Sequence, residues 1–172
     1  MEINPRLAIL ILLSSTSCFA KSGGFTCRDL LTDTEFQRIL NKDPKAYTLD
    51  SNLTGTSKEG QQLTCDYILK SEPIRTEALT VNVTWWSGNP GKFTENASAV
   101  RTGIKTDPAI KDLSGFGSWA LEDTQLDPTI NVFTNNKKYL FFVKLTHYAS
   151  VDDPVQKTRA LARAINDHLN HY

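Results

Sequence analysis

Cys27 and Cys65 set the tightest limit on how this chain folds, because the residues ahead of them point to an oxidising compartment. Residues 7 to 13, Leu-Ala-Ile-Leu-Ile-Leu-Leu, form an uncharged run behind Arg6. The run is too short to span a bilayer and suits the core of a signal peptide, and Cys18-Phe19-Ala20 supplies small residues at −3 and −1 for cleavage before Lys21. The expectation is a leader over 1–20, one domain over 21–172, and a secreted or periplasmic location. Two other outcomes fit the same segment. Ser15-Thr16-Ser17-Cys18 resembles a lipobox with Ser in place of the usual Leu, which would put a lipid anchor at Cys18, and an uncleaved leader would itself be an anchor. No later run approaches the ~18 apolar residues of a spanning helix, so no membrane span is expected after processing.

Cleavage after Ala20 removes Cys18 and leaves two thiols, which in an exported domain read as one disulfide. Closing a loop of about 39 residues stabilises a fold by roughly 4 kcal/mol in the chain-entropy model. A redox or metal pair would need a Cys-x-x-Cys or a nearby His, and neither is present. Leu63, Cys65, Tyr67 and Leu69 alternate along one strand face, so Cys65 points to the core and pins the first helix there.

That helix has a clear start. Thr32 and Glu35 form a capping box, and Leu31 and Phe36 sit at the staple positions around it. Phe36, Ile39 and Leu40 face inward, and Pro44 ends the helix. Strand patterns follow at about 46 to 53, 61 to 70 and 77 to 86, separated by Gly55 to Gly60 and by Ser71-Glu72-Pro73. A second helix over about 93 to 102 is expected from Phe93, Ala97, Val100 and Ile104, with Gly103 suited to its end. Further strands are expected at about 117 to 123, 129 to 134 and 138 to 148, the last rich enough in Tyr and Phe to be central, with Asn135-Asn136 as a hairpin tip. Asp153-Pro154 starts a terminal helix that buries Val155, Leu161, Ala162, Ile165, Leu169 and Tyr172. The pattern predicts an α+β fold, a mostly antiparallel sheet of about six strands packed by three helices in the order α-βββ-α-βββ-α.

Charge narrows the function classes. The 172 residues hold 19 Lys and Arg against 19 Asp and Glu, and the leader takes away one of each, Glu2 and Arg6. A neutral chain without a biased half does not read as a nucleic-acid binder, which must neutralise several phosphates.

Four short segments carry a likeness: Cys27-Arg28-Asp29-Leu30-Leu31-Thr32, Cys65-Asp66-Tyr67, Leu79-Thr80-Val81-Asn82-Val83, and Leu113-Ser114-Gly115-Phe116-Gly117-Ser118-Trp119-Ala120. Over nearly all of 21–172 the chain resembles small exported or lipid-anchored bacterial proteins of unknown function with a sensor-like α+β domain. Ser118 stands where that pattern has an acidic residue. The resemblance implies a two- or three-layer α+β fold with a disulfide and a non-catalytic binding role, and a fold alone does not assign a function.

No Gly-x-Ser-x-Gly, His-Glu-x-x-His, Walker or dinucleotide motif is present. Gly115-Phe116-Gly117 reads as a tight turn. His168 and His171 lie three apart on the terminal helix, but they diverge, so neither a metal nor a cofactor is expected. The more informative residues are aromatic. On the strand over 77 to 86, Leu79, Val81, Val83 and Trp85 share one face, and Trp86 is the exception on the polar face of Thr80, Asn82 and Thr84. Phe116 and Trp119 flank the Gly-rich turn, and if the two loops meet, Trp86, Phe116 and Trp119 line a binding patch; the other reading places them in the core. The leading expectation is a secreted or periplasmic non-catalytic binding module, a sensor, accessory or inhibitor, with an unknown protein or small ligand as partner. Two other classes stay open: a small extracytoplasmic hydrolase using His147 with Asp152 and Asp153, and a structural envelope protein.

Overall fold

The computed structural model describes residues 24–56, 59–70, 77–87, 89–104, 109–148 and 151–172. The expected leader with Cys18, and the Ser71-Glu72-Pro73 turn, lie outside the described residues. Within them the chain runs α1 (Cys27–Leu30), α2 (Asp33–Leu40), a 3-10 turn (Pro44–Ala46), β1 (Tyr47–Thr56), β2 (Gly60–Leu69) and β3 (Ala78–Trp85). It continues with α3 (Pro90–Ile104), β4 (Ile110–Leu113), β5 (Trp119–Asp123), β6 (Thr129–Phe133), β7 (Tyr139–Thr146) and α4 (Pro154–Asn170). The described strands form one antiparallel sheet in the order β1-β2-β3-β7-β6-β5-β4. Two meanders, β1-β2-β3 and β4-β5-β6-β7, are joined edge to edge by pairing of β3 with β7, so the Tyr- and Phe-rich strand is central as expected.

The α+β class holds, with seven strands in place of about six and four α-helices in place of three among the described residues. The added strand, β4, is only Ile110-Lys111-Asp112-Leu113, too short and too polar to alternate visibly, and it gains its place by pairing with β5. The added helix, α1, is a single turn. The Asp29 carboxylate accepts from the Thr26 backbone N–H at 2.7 Å and from its hydroxyl at 2.8 Å. One turn later Thr32 repeats the device: its hydroxyl accepts from the Glu35 N–H at 3.2 Å, while its own N–H and hydroxyl donate to Glu35 Oε2. Leu31 and Phe36, on either side of this cap, are fully buried.

Strand alternation gives the sheet an inner and an outer face. Leu63, Cys65, Val81, Val83, Phe141 and Val143 point inward and join α1, α2 and α4 in one continuous core. The Cys27–Cys65 disulfide ties α1 to β2 across this layer, with Cα atoms 5.7 Å apart. Tyr67 adds a second tie, its hydroxyl donating to the Cys27 carbonyl at 3.2 Å, and burial pushes its pKa well above the ordinary value.

Asp153 caps α4 by accepting from the Gln156 N–H at 3.1 Å, ahead of Pro154 at the first helical position. Leu161, Ala162, Ile165 and Leu169 are buried as expected. Tyr172 is not: it lies past the helix end and is 42% exposed, touching only the rim of the core through Phe25, 5.4 Å between ring centroids. Val155 is half-buried, and Thr158 takes the inward position, its hydroxyl donating to the Pro154 carbonyl at 2.8 Å. The inner face also holds a charge. Glu122 on β5 is 2% exposed and is met by Arg159 of α4 through two hydrogen bonds of 2.7 and 2.6 Å, a bidentate pair that neutralises it.

Candidate functional site

The outer face is built differently. Over β1, β2 and β3 it is polar: Thr80 donates to Asp66 at 2.6 Å, Asn82 to Thr64 at 2.8 Å and Gln62 to Asn82 at 2.9 Å. Among the described elements only α3 covers this face, and it does so at one end, where Trp86, Phe93 and Phe133 form a small second core with Ala97, Val100, Trp119 and Leu140 against it.

Trp86 follows β3 and lies on the β1–β2 hairpin. Its indole N–H donates to the Glu59 carbonyl at 3.2 Å, and a Cβ at Gly60 would sit 2.6 Å from Trp86 Nε1, so only glycine leaves room for the ring. Trp119 occupies the same cluster from β5. Its ring lies 4.8 Å from Phe133, its N–H donates to Asp112 at 2.7 Å, and the Arg101 guanidinium lies 5.3 Å above it. Phe133, 6.0 Å from Phe93, therefore bridges Trp119 to the cluster that holds Trp86. Phe116 does not join them. It is buried in the larger core, with the Arg163 guanidinium 4.8 Å from its ring. Phe116 lies in the turn ahead of β5, where Gly115 and Gly117 take left-handed backbone (φ 80° and 51°), and Trp119 three positions on faces the other side of the sheet.

Beside Trp86 a cleft of about 340 Å³ opens, walled by Trp85, Trp86, Phe93 and Tyr139. Trp85 and Trp86 are consecutive and point to opposite faces, so a cleft that touches both lies over the end of the strands. It is bounded by the first turn of α3 on one side and the β6–β7 hairpin on the other. Phe25 backs it from the inner core, 5.3 Å from Trp85 and 5.6 Å from Tyr139. Ser87, Lys137 and Lys138 complete the lining and are exposed. The Trp85 indole N–H is buried and has no acceptor among the described residues.

The hairpin that carries the two lysines is firmly held. The Lys137 N–H donates to the Thr134 carbonyl at 3.1 Å, closing a four-residue turn, and the buried Thr134 hydroxyl donates to Asn136 Oδ1 at 2.6 Å. Asn136 then reaches α4, donating through Nδ2 to the Leu169 carbonyl at 3.0 Å. Lys137 ends the turn in left-handed backbone (φ 56°), where Gly or Asn is favoured and another residue costs about 1 kcal/mol. Lys138 Nζ donates to the Tyr172 carbonyl oxygen at 2.8 Å, whereas Lys137 has no ion-pair partner among the described residues.

Of the cleft residues, the sequence singled out Trp86 alone. Trp85 read as core, which its burial supports, and Phe93 read as the stripe of a helix. Asn135-Asn136 marked the hairpin tip, but the left-handed residue is the next one, and only the backbone reveals it.

The histidines stand apart from the cleft. His147 is exposed, with left-handed backbone (φ 56°), and its backbone N–H donates to Asp127 Oδ1 at 3.2 Å. Asp153 serves as the α4 cap through Oδ1. His168 Nε2 lies 2.9 and 3.1 Å from the two Glu35 oxygens, joining α4 to α2. Burial raises the Glu35 pKa, but bonds from Thr32 and the contact with His168 outweigh it and hold the carboxyl below its ordinary value. Among the described residues no group of three or more His, Cys, Asp or Glu is placed to hold a metal ion. No described helix is long and apolar enough to cross a membrane. Comparison with protein-family models, curated proteins and solved structures finds no match for this chain.

Proposed function

We propose that this chain is an exported, non-catalytic binding module whose ligand enters the cleft over the end of the sheet. The observation that carries this reading is the cleft itself. Aromatic side chains wall a concavity of about 340 Å³, near the lower end of the size range of small-ligand sites. That size favours a small ligand over a protein surface, and a sensor or accessory role follows from binding without chemistry. The Cys27–Cys65 disulfide supports an extracytoplasmic location. The hydrolase reading draws less support: the hydrogen bond that His147 makes to a carboxylate, that of Asp127, is donated by its backbone N–H and not by its imidazole.

The test uses N-phenyl-1-naphthylamine, an uncharged two-ring-system probe that fluoresces in apolar sites. The native chain is expected to bind it saturably at one site. Ser87→Trp, at an exposed position on the lining, fills the cleft and abolishes binding while circular dichroism and Tm stay unchanged. Absence of saturable binding to the native chain, or equal binding by a folded Ser87→Trp, overturns the proposal.

A further inference from the structure

We infer that the ligand of this cleft carries an anionic group on a flat apolar body, and that Lys137 is the residue that reads the charge. The inference rests on the cleft being a ligand site and goes further by naming the chemical class. Among the described residues its lining contains two lysines and no carboxylate. Lys138 Nζ is engaged by the Tyr172 carbonyl oxygen, and on the α3 side Lys92 is paired with Glu95 at 2.6 Å, which leaves Lys137 as the lining lysine whose ammonium has neither an acceptor nor an ion-pair partner among the described residues.

The backbone strengthens the case. Thr134 and Asn136 define the hairpin without help from the Lys137 side chain, and its left-handed position favours glycine. A lysine there works against the local conformation, so its contribution must come from the side chain. Low-polarity aromatic walls make a cation beside them interact more strongly with an anion than it would in open solvent. Carboxylate, sulfonate and phosphate share this recognition chemistry.

The test pairs two probes with the same ring systems, 8-anilinonaphthalene-1-sulfonate and the uncharged N-phenyl-1-naphthylamine. Lys137→Gln and Lys137→Gly are each expected to weaken binding of the sulfonate by about fivefold while leaving the uncharged probe within about twofold, the scale of a single accessible ion pair. Lys137→Gly should also hold or raise Tm, since glycine accepts the left-handed backbone, which separates loss of affinity from loss of fold. If both probes weaken equally, or the sulfonate is unaffected, the anionic assignment fails and the cleft remains a neutral site. If neither probe binds the native chain, the cleft reading fails and takes this inference with it.

Discussion

On the inner face of the sheet, Val81, Val83, Phe141 and Val143 meet three helices and a disulfide, and the buried residues form one continuous core. On the outer face, Trp86, Phe93 and Phe133 meet one helix and form a cluster of three. The same strands build both. What differs is cover: α4 lies along β6 and β7 and closes the inner layer with small and branched side chains, whereas α3 presents a narrow stripe that reaches only one end of the sheet. Large aromatic rings under incomplete cover leave a concavity, and the cleft forms there. The inner face holds the chain together, and the cleft lies where the outer cluster meets Trp85 and Tyr139 of the inner core.

This contrast breaks most visibly if the disulfide is removed. Cys27→Ala with Cys65→Ala should lower unfolding free energy by about 4 kcal/mol, read from urea titration, because a loop spanning 38 positions is released from an inner-face tie. Probe affinity measured while the variant is folded should change little, since neither cysteine lines the cleft. A large loss of affinity in a folded variant would mean that the two faces are not independent.

Matched truncations sharpen the same contrast. Phe36→Ala empties a fully buried inner position and should cost about 4 kcal/mol without changing binding. Phe93→Ala should cost less, about 3 kcal/mol, because its site borders a space that solvent already enters, yet it should abolish probe binding. Urea midpoints and probe titration on both variants check this, and a reversed pattern would contradict it.

The smallest effect concerns acid. The folded Glu35 carboxyl is more acidic than in the unfolded chain, so its stabilising contribution is present above the ordinary value of 4.5 and is lost as pH falls through the lower folded pKa. The stability gap between the native chain and Glu35→Gln should therefore shrink from pH 7 to pH 3 in urea titrations. A constant gap would show that the Thr32 and His168 contacts do not hold the carboxylate.

Legibility followed the range of the interaction. Thr32 with Glu35 and Asp153 with Pro154 are local devices, and both helix starts stand where the residues place them. Period-two alternation assigned the faces of β2 and β3 for the same reason. Thr26 with Asp29 is the same capping pattern one turn earlier, readable in retrospect, but the four residues it caps show no apolar period. Contacts across the chain left no such mark. Arg159 lies 37 positions from Glu122, so the buried Glu122 looks in sequence like a strand surface residue. The cleft draws on three segments that meet only because β3 pairs with β7, and Trp85 with Tyr139 is one rung of that pairing. Phe116 and Trp119 are three apart in sequence, an odd spacing that on extended backbone faces opposite sides, and they enter different cores.

The three tryptophans offer the most direct test of where a ligand sits, because each indole N–H gives one signal in an 15N-labelled NMR spectrum and the three differ in setting. Trp86 is bonded to the Glu59 carbonyl, Trp119 to Asp112, and Trp85 to no described acceptor. On titration with 8-anilinonaphthalene-1-sulfonate, the Trp85 and Trp86 signals should shift together to saturation while Trp119 stays in place. A shift of Trp119 alone, or three unmoved signals at saturating probe, would contradict the cleft as the binding site.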